Sequence, residues 1–196
     1  MHKTLSEHVS RHIQLNPNEE QVLHSTLKSL QLKPKEYLLK EYEICNAYYF
    51  VLSGCLRFYR NTENGTEQIL QFGIKGWWIS DYQSFENQMP SEYNIQAIEQ
   101  TEVLVLERKD YKQLFNEVPL LNNYFRIMMQ KAYTASLKKI ELILCQSAEE
   151  RYVQFNKAFP DFVQRIPQYM LASFLGFTPQ FLSMLRSKKR YATSVK

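Results

Sequence analysis

The hydrophobic period of the chain changes twice. Leu5, Val9, His12 and Ile13 recur at helical spacing, and Asn16-Pro17 reads as a cap with proline at the first helical position. Val22, Leu23, Leu27 and Leu30 extend that second helix. The period then falls to that of strands. Tyr37–Leu39, Ala47–Leu52, Cys55–Arg60, Gln68–Phe72, Ile95–Ile98 and Val103–Leu106 are short β-rich runs. They are separated by Ser53-Gly54, Asn64-Gly65, Lys75-Gly76 and Met89-Pro90, and Asn64-Gly65 is the strongest hairpin signal. Many short strands at near-regular spacing predict an antiparallel barrel or jelly roll.

After Arg108 helical spacing returns. A short helix is expected to Glu117, before Pro119, and a long one from about Leu120 to Cys145, a stretch without Gly or Pro. Along it Leu121, Phe125, Met128, Ala132, Ala135 and Leu142 step by fours and threes, with Lys139 interrupting the row, as in a coiled-coil seam. Leu120, Tyr124, Ile127, Ile140 and Leu144 form a second row. A helix that hides one stripe against its own domain needs a second surface for the other, so the first row is assigned to a homodimer interface. Ser147 with Glu150 is a capping box that restarts the helix, which ends near Phe159-Pro160.

Composition narrows the class. Aromatic residues make up 14% of the 196 residues and apolar residues 44%, ample for a buried core. The longest apolar run is the six residues Ala47–Leu52, against roughly twenty for a bilayer span, so no membrane partner is expected. The first residues lack the apolar segment of a secretory signal. The three cysteines, Cys45, Cys55 and Cys145, form no CxxC pair, which fits reduced thiols in a cytoplasmic protein. Net charge is only +4, but six basic residues and no acid lie between Gln164 and Lys196. The rest holds 18 basic and 20 acidic groups, or −2. A basic tail on a near-neutral body points to a polyanionic partner.

That tail also carries a pattern. Pro167 sits where a helix can start, and Leu171, Ala172, Phe174 and Leu175 make an apolar face. Gly176 supplies the left-handed residue that ends the helix, Thr178 caps the next and Pro179 takes its first position. Leu182 and Leu185 face back to the core. The sum is a helix-turn-helix whose second helix can enter a DNA major groove. Arg186, Lys188, Lys189 and Arg190 suit phosphates, while Thr178, Gln180, Phe181, Ser183, Met184 and Ser187 suit base edges. The partner is therefore read as double-stranded DNA.

Taken together these segments resemble the catabolite-activator and fumarate-nitrate-regulator family of bacterial transcription factors over nearly the whole chain. Tyr48 to Arg57 looks like the family's paired strands around a Gly, and Val103–Leu106 with Asp110 to Phe115 looks like its last strand and following helix. The segment from Ile166 to Pro179 looks most like the Bacteroidetes-type branch. The resemblance implies an α+β fold: N-terminal helices and a cyclic-nucleotide-binding-like jelly roll over residues 1–118, a dimerisation helix over 119–146, and a winged-helix-like helix-turn-helix domain over 147–196. It implies a DNA-binding homodimer rather than an enzyme, with a small-molecule effector and RNA polymerase as further partners. The link from Phe159 to Ile166 leaves room for at most a reduced wing.

The sequence departs from the family at the ligand cassette. Relatives that bind cyclic nucleotide hold the ribose with a Glu after Gly, and the phosphate with an Arg before Ser or Thr. Aligned on Gly76 and Ala97, this chain has Ser80-Asp81 and Ser91-Glu92 there, and no Arg between Arg60 and Arg108. A buried phosphate beside acids and without a guanidinium is costly, so cyclic AMP is not expected to bind in the family's way. Asp81 is expected to be a partly exposed loop acid, with a sugar hydroxyl as its partner in the alternative reading. The remaining candidate effector pocket is Gly76, Trp78, Ser80, Asp81, Ser91 and Tyr93, with the alternative that the aromatic rings simply fill the barrel.

No cofactor is assigned. All four His lie in the first 24 residues and are expected at the surface, although His8 and His12 share a helix face. A cupin-type metal site needs His on the barrel strands, where there is none. N-terminal cysteines for an iron–sulfur cluster and the sequence signatures of nucleophilic catalysis are likewise missing. The competing reading is a ligand-sensing or protein-interaction jelly roll whose basic tail binds a partner other than specific DNA.

Overall fold

The computed structural model describes residues 3–193, with side chains as far as Ser187. Helices α1 (Lys3–Ser10) and α2 (Pro17–Thr26) come first. Asn16 caps α2 with a capping box closed by Glu19. Eight strands follow: β1 (Lys28–Leu32), β2 (Tyr37–Leu39), β3 (Ala47–Ser53), β4 (Cys55–Asn61), β5 (Glu67–Ile74), β6 (Trp78–Ile79), β7 (Asn94–Ala97) and β8 (Thr101–Glu107), with α3 (Tyr82–Asn87) between β6 and β7. They form two four-stranded sheets, in the orders β1-β8-β3-β6 and β2-β7-β4-β5. The recorded pairings are antiparallel, which makes the jelly roll.

Among the strands, β1 and β6 are not expected from the sequence. Leu27 and Leu30 do not continue α2. The chain from Lys28 pairs with β8, Lys28 opposite Val105 and Leu32 opposite Thr101, and Leu30 is exposed. The helical spacing of the last two positions was overridden by a strand partner about 75 residues away, a term no local pattern carries. β6 is two residues long, too short to register as a period.

The chain divides into two compact units: residues 1–61 with 70–132, and residues 62–69 with 133–196. The division lies inside the long helix α5 (Leu120–Cys145) and assigns the tip of the β4–β5 hairpin to the C-terminal unit. The first unit's core joins both sheets, the N-terminal helices, α4 (Arg108–Glu117) and the start of α5: Leu5, Phe50, Leu56, Ile79, Ile95, Leu104, Leu114 and Leu121 are almost wholly buried. The turn at Gly54, with φ of +84°, admits no side chain, because a Cβ would overlap the Thr101 hydroxyl and the Gln100 carbonyl.

The second unit contains α6 (Ala148–Ala158), α7 (Pro160–Arg165), α8 (Gln168–Leu175) and α9 (Pro179–Thr193). Ser147 caps α6 through the expected box with Glu150. Where a wing would lie, the chain forms α7, and among the described residues no strand follows Glu107.

The dimer row needs correction. Leu121, Phe125 and Met128 belong to the first unit's own core, while Ala132 and Ala135 are exposed and Leu142 is half-buried. Aromatic neighbours explain this: the Phe125 ring stacks on Trp78 at 4.9 Å and on Phe115 at 5.0 Å. Farther along α5 the exposed apolar positions are Tyr133, Leu137, Ile140, Ile143 and Leu144. Four of them step 133, 137, 140 and 144, the heptad rhythm of a helix seam.

Candidate nucleic-acid interface

The C-terminal unit builds its candidate surface from local rules. α8 ends where Gly176 adopts φ of +78° and its N–H returns to the Ala172 and Ser173 carbonyls. Two residues on, the Thr178 hydroxyl accepts the Phe181 N–H at 3.2 Å and caps α9. Leu171, Ala172, Leu175, Leu182 and Leu185 bury the inner faces of the two helices. That leaves Thr178, Gln180, Ser183, Met184, Arg186 and Ser187 exposed on α9. Phe181 is half-buried, with its ring edge-to-face on Phe177 at 5.7 Å. The residues proposed to read bases therefore share one exposed surface, apart from Phe181. Lys188 and Lys189 belong to α9, but their side chains, like that of Arg190, lie outside the described residues.

In the same unit, an aromatic cluster joins Phe155 to Phe159 at 5.1 Å and to Phe174 at 5.6 Å. The Lys139 ammonium lies 3.9 Å from the centre of the Phe174 ring, and burial pulls its pKa down to about 8. The interruption in the α5 row is thus a packed residue. Nothing in the sequence pattern marks this cation–π contact.

The effector candidates lie in the first unit and are already bonded to one another. Asp81 is buried, not a partly exposed loop acid. One carboxylate oxygen caps α3, accepting the N–H groups of Gln83 and Ser84, each at 3.1 Å. The other accepts the Ser91 hydroxyl at 2.7 Å. The Ser91 oxygen also takes the Tyr93 N–H at 3.0 Å. The two side chains that the resemblance sets at the sugar and phosphate positions thus satisfy each other here. Ser80 donates to the Ala47 carbonyl at 2.9 Å, and the Tyr93 ring stacks on Phe58 at 4.7 Å. Gly76 occupies a left-handed turn bonded to the Val51 carbonyl.

Trp78 is buried and Trp77 is largely exposed. The Trp78 indole N–H donates to the Tyr124 hydroxyl at 2.9 Å, and that hydroxyl lies 2.8 Å from Nδ1 of His8. The arrangement that pairs every proton has Tyr124 donating to a neutral His8. Burial, followed by the charges of His12, Lys131 and Arg11, lowers the His8 pKa to about 4. His8 is therefore a packed residue and not the surface histidine expected from the sequence. His12 lies beside the Lys131 ammonium at 3.2 Å, and no group of three metal-ligating side chains occurs among the described residues.

The comparisons agree with this architecture. The family model of the cyclic nucleotide-binding domain matches residues 29–118. That segment is similar to this domain. The chain as a whole has the fold of the catabolite-activator and fumarate-nitrate regulators. FixK2 from Bradyrhizobium japonicum superposes with a TM-score of 0.73 at 17% identity, over 85% of this chain and 86% of its own. The c-di-GMP-responsive global regulator CLP from Xanthomonas campestris gives 0.72 at 13% identity, over 91% and 93%. A crp/fnr-family transcriptional regulator from Eubacterium rectale gives 0.71 at 19% identity, over 91% and 85%. No curated protein sequence matches the chain. No helix among the described residues is long and apolar enough to cross a membrane.

Proposed function

We propose that the chain is a homodimeric, sequence-specific DNA-binding transcription regulator whose jelly roll does not take cyclic AMP in its relatives' manner. The observation that carries the reading is α9. Its inner face is buried by Leu182 and Leu185, its outer face is polar and exposed, and no acidic residue follows Asp161. Major-groove reading needs that combination of a fixed inner face and a bare, acid-free outer one. The exposed row Tyr133, Leu137, Ile140 and Leu144 supports pairing of two chains along α5. Two recognition helices would then meet half-sites about one DNA turn apart, near 34 Å.

The cyclic-AMP part rests on Asp81 and Ser91. A cyclic phosphate entering there would have to displace a buried hydrogen bond of 2.7 Å and sit beside the Asp81 carboxylate. The deciding experiment is selection of duplexes from a random pool by the purified full chain at moderate salt. Enrichment of an inverted repeat establishes the regulator. Retention that is salt-sensitive but unselective leaves a polyanion-binding tail, and the reading fails.

A further inference from the structure

Within the C-terminal unit one residue meets a sheet edge. β5 is the outermost strand of its sheet. The groups of residues 67 and 69 that point the same way are taken by Ser173, on the last turn of α8. Its hydroxyl accepts the Ile69 N–H at 2.9 Å and donates to the Glu67 carbonyl at 2.8 Å. A single side chain thus bonds a donor and an acceptor of the edge strand. The side-chain amide of Gln68 returns the contact, donating to the Ser173 carbonyl at 2.6 Å. That carbonyl, at the helix end, also accepts the Gly176 N–H at 3.2 Å.

Three features give this clasp a function. It grips α8 three residues before Gly176, the pivot from which α9 departs. It leaves bare the face of α9 that carries Gln180, Ser183 and Met184. The next residue, Phe174, is gripped independently by Lys139 and Phe155. A contact that fixes a reading helix without covering it preorganises binding and does not inhibit it.

We infer that Ser173, bonded to Glu67, Gln68 and Ile69 at the hairpin tip, is a positioning residue that holds the helix-turn-helix in its DNA-reading arrangement. The inference rests on the DNA-binding function proposed above. Ser173 itself touches no base.

The test uses the full chain, wild type and the variants Ser173→Ala, Ser173→Thr and Gln68→Ala. Amide hydrogen exchange is measured without DNA, and affinity for the best duplex recovered by wild-type selection is measured with it. Ser173→Ala is expected to expose the Ile69 amide to exchange and to weaken duplex binding about fivefold, with an unchanged salt slope. Ser173→Thr, which keeps the hydroxyl, is expected to restore both. Gln68→Ala, a change at a half-buried hairpin side chain that leaves the helices intact, is expected to weaken binding about two- to threefold while Ile69 stays protected. Unchanged Ile69 exchange in Ser173→Ala refutes the clasp, and faster exchange with affinity held within twofold refutes its positioning role. If wild type selects no duplex, the DNA-binding reading fails with the role built on it, while the Ile69 exchange still reports whether the clasp exists.

Discussion

Removing the Asp81 carboxylate tests the self-bonded cassette most directly. Asp81→Ala deletes three hydrogen bonds: two to the backbone at the start of α3 and one, charge-assisted, to Ser91. Loss of the helix cap costs about 1 kcal/mol. Loss of the bond to an ionised acceptor costs about 2 kcal/mol more, because the Ser91 hydroxyl stays buried. The sum is about 3 kcal/mol. Asp81→Asn is milder, since its carbonyl keeps the cap and its amide can donate to Ser91 if that hydroxyl turns toward the Tyr93 carbonyl, 3.2 Å away. About 1 kcal/mol is expected for that change. Urea unfolding followed by tryptophan fluorescence reads the first unit, where both tryptophans lie. The expected order is wild type, then Asn, then Ala, with the Ala transition lower by roughly 10 °C in a matched thermal scan. If Ala and Asn fall within about 0.5 kcal/mol of each other, the carboxylate does not hold the cassette together and the reasoning is wrong.

The same scan with cyclic AMP should leave the wild-type midpoint unmoved, whereas a ligand at a hundred times its Kd stabilises by about 2.7 kcal/mol. Tyr124→Phe strands the Trp78 N–H and the His8 acceptor in one step, and a loss of about 2–3 kcal/mol by urea unfolding is expected. The first unit should also lose stability as pH falls. His8 titrates near 4 when folded and near 6.5 when unfolded, so the unfolded state binds the extra proton between those values. Its contribution is complete above about pH 6.5 and lost progressively toward pH 4, and His8→Asn, which keeps an acceptor and cannot titrate, should flatten that slope. In binding assays Arg186→Ala should weaken all duplexes alike and lower the salt slope, while Gln180→Ala should relax base preference at one position. Leu137→Lys with Leu144→Lys should shift the chain toward monomer in sedimentation, whereas Ala132→Lys and Ala135→Lys should shift it less.

Much of the protein was legible in its local signals. Asn16, Ser147, Gly176 and Thr178 act through neighbours within a few residues, so their caps and turns appear where the sequence places them. The helix-turn-helix needs little more than these and the spacing of Leu171, Leu175, Leu182 and Leu185. α5 likewise runs from Leu120 to Cys145 because nothing within it breaks a helix.

What the sequence left open was decided by partners distant along the chain. Leu30 fits a helix until β8 claims its backbone. Leu121, Phe125 and Met128 form as good a seam as any, and only the rings of Trp78 and Phe115 show that the jelly roll itself covers them. Asp81 reads as a loop acid until Ser91, ten residues on, folds back to meet it. The clasp of Ser173 on β5 joins residues more than a hundred apart, and no periodicity encodes it. Caps, turns and stripes follow from short-range sterics and hydrogen bonding. Which stripe is buried, and which polar group satisfies which, depends on contacts whose loop-closure entropy only the assembled core can offset.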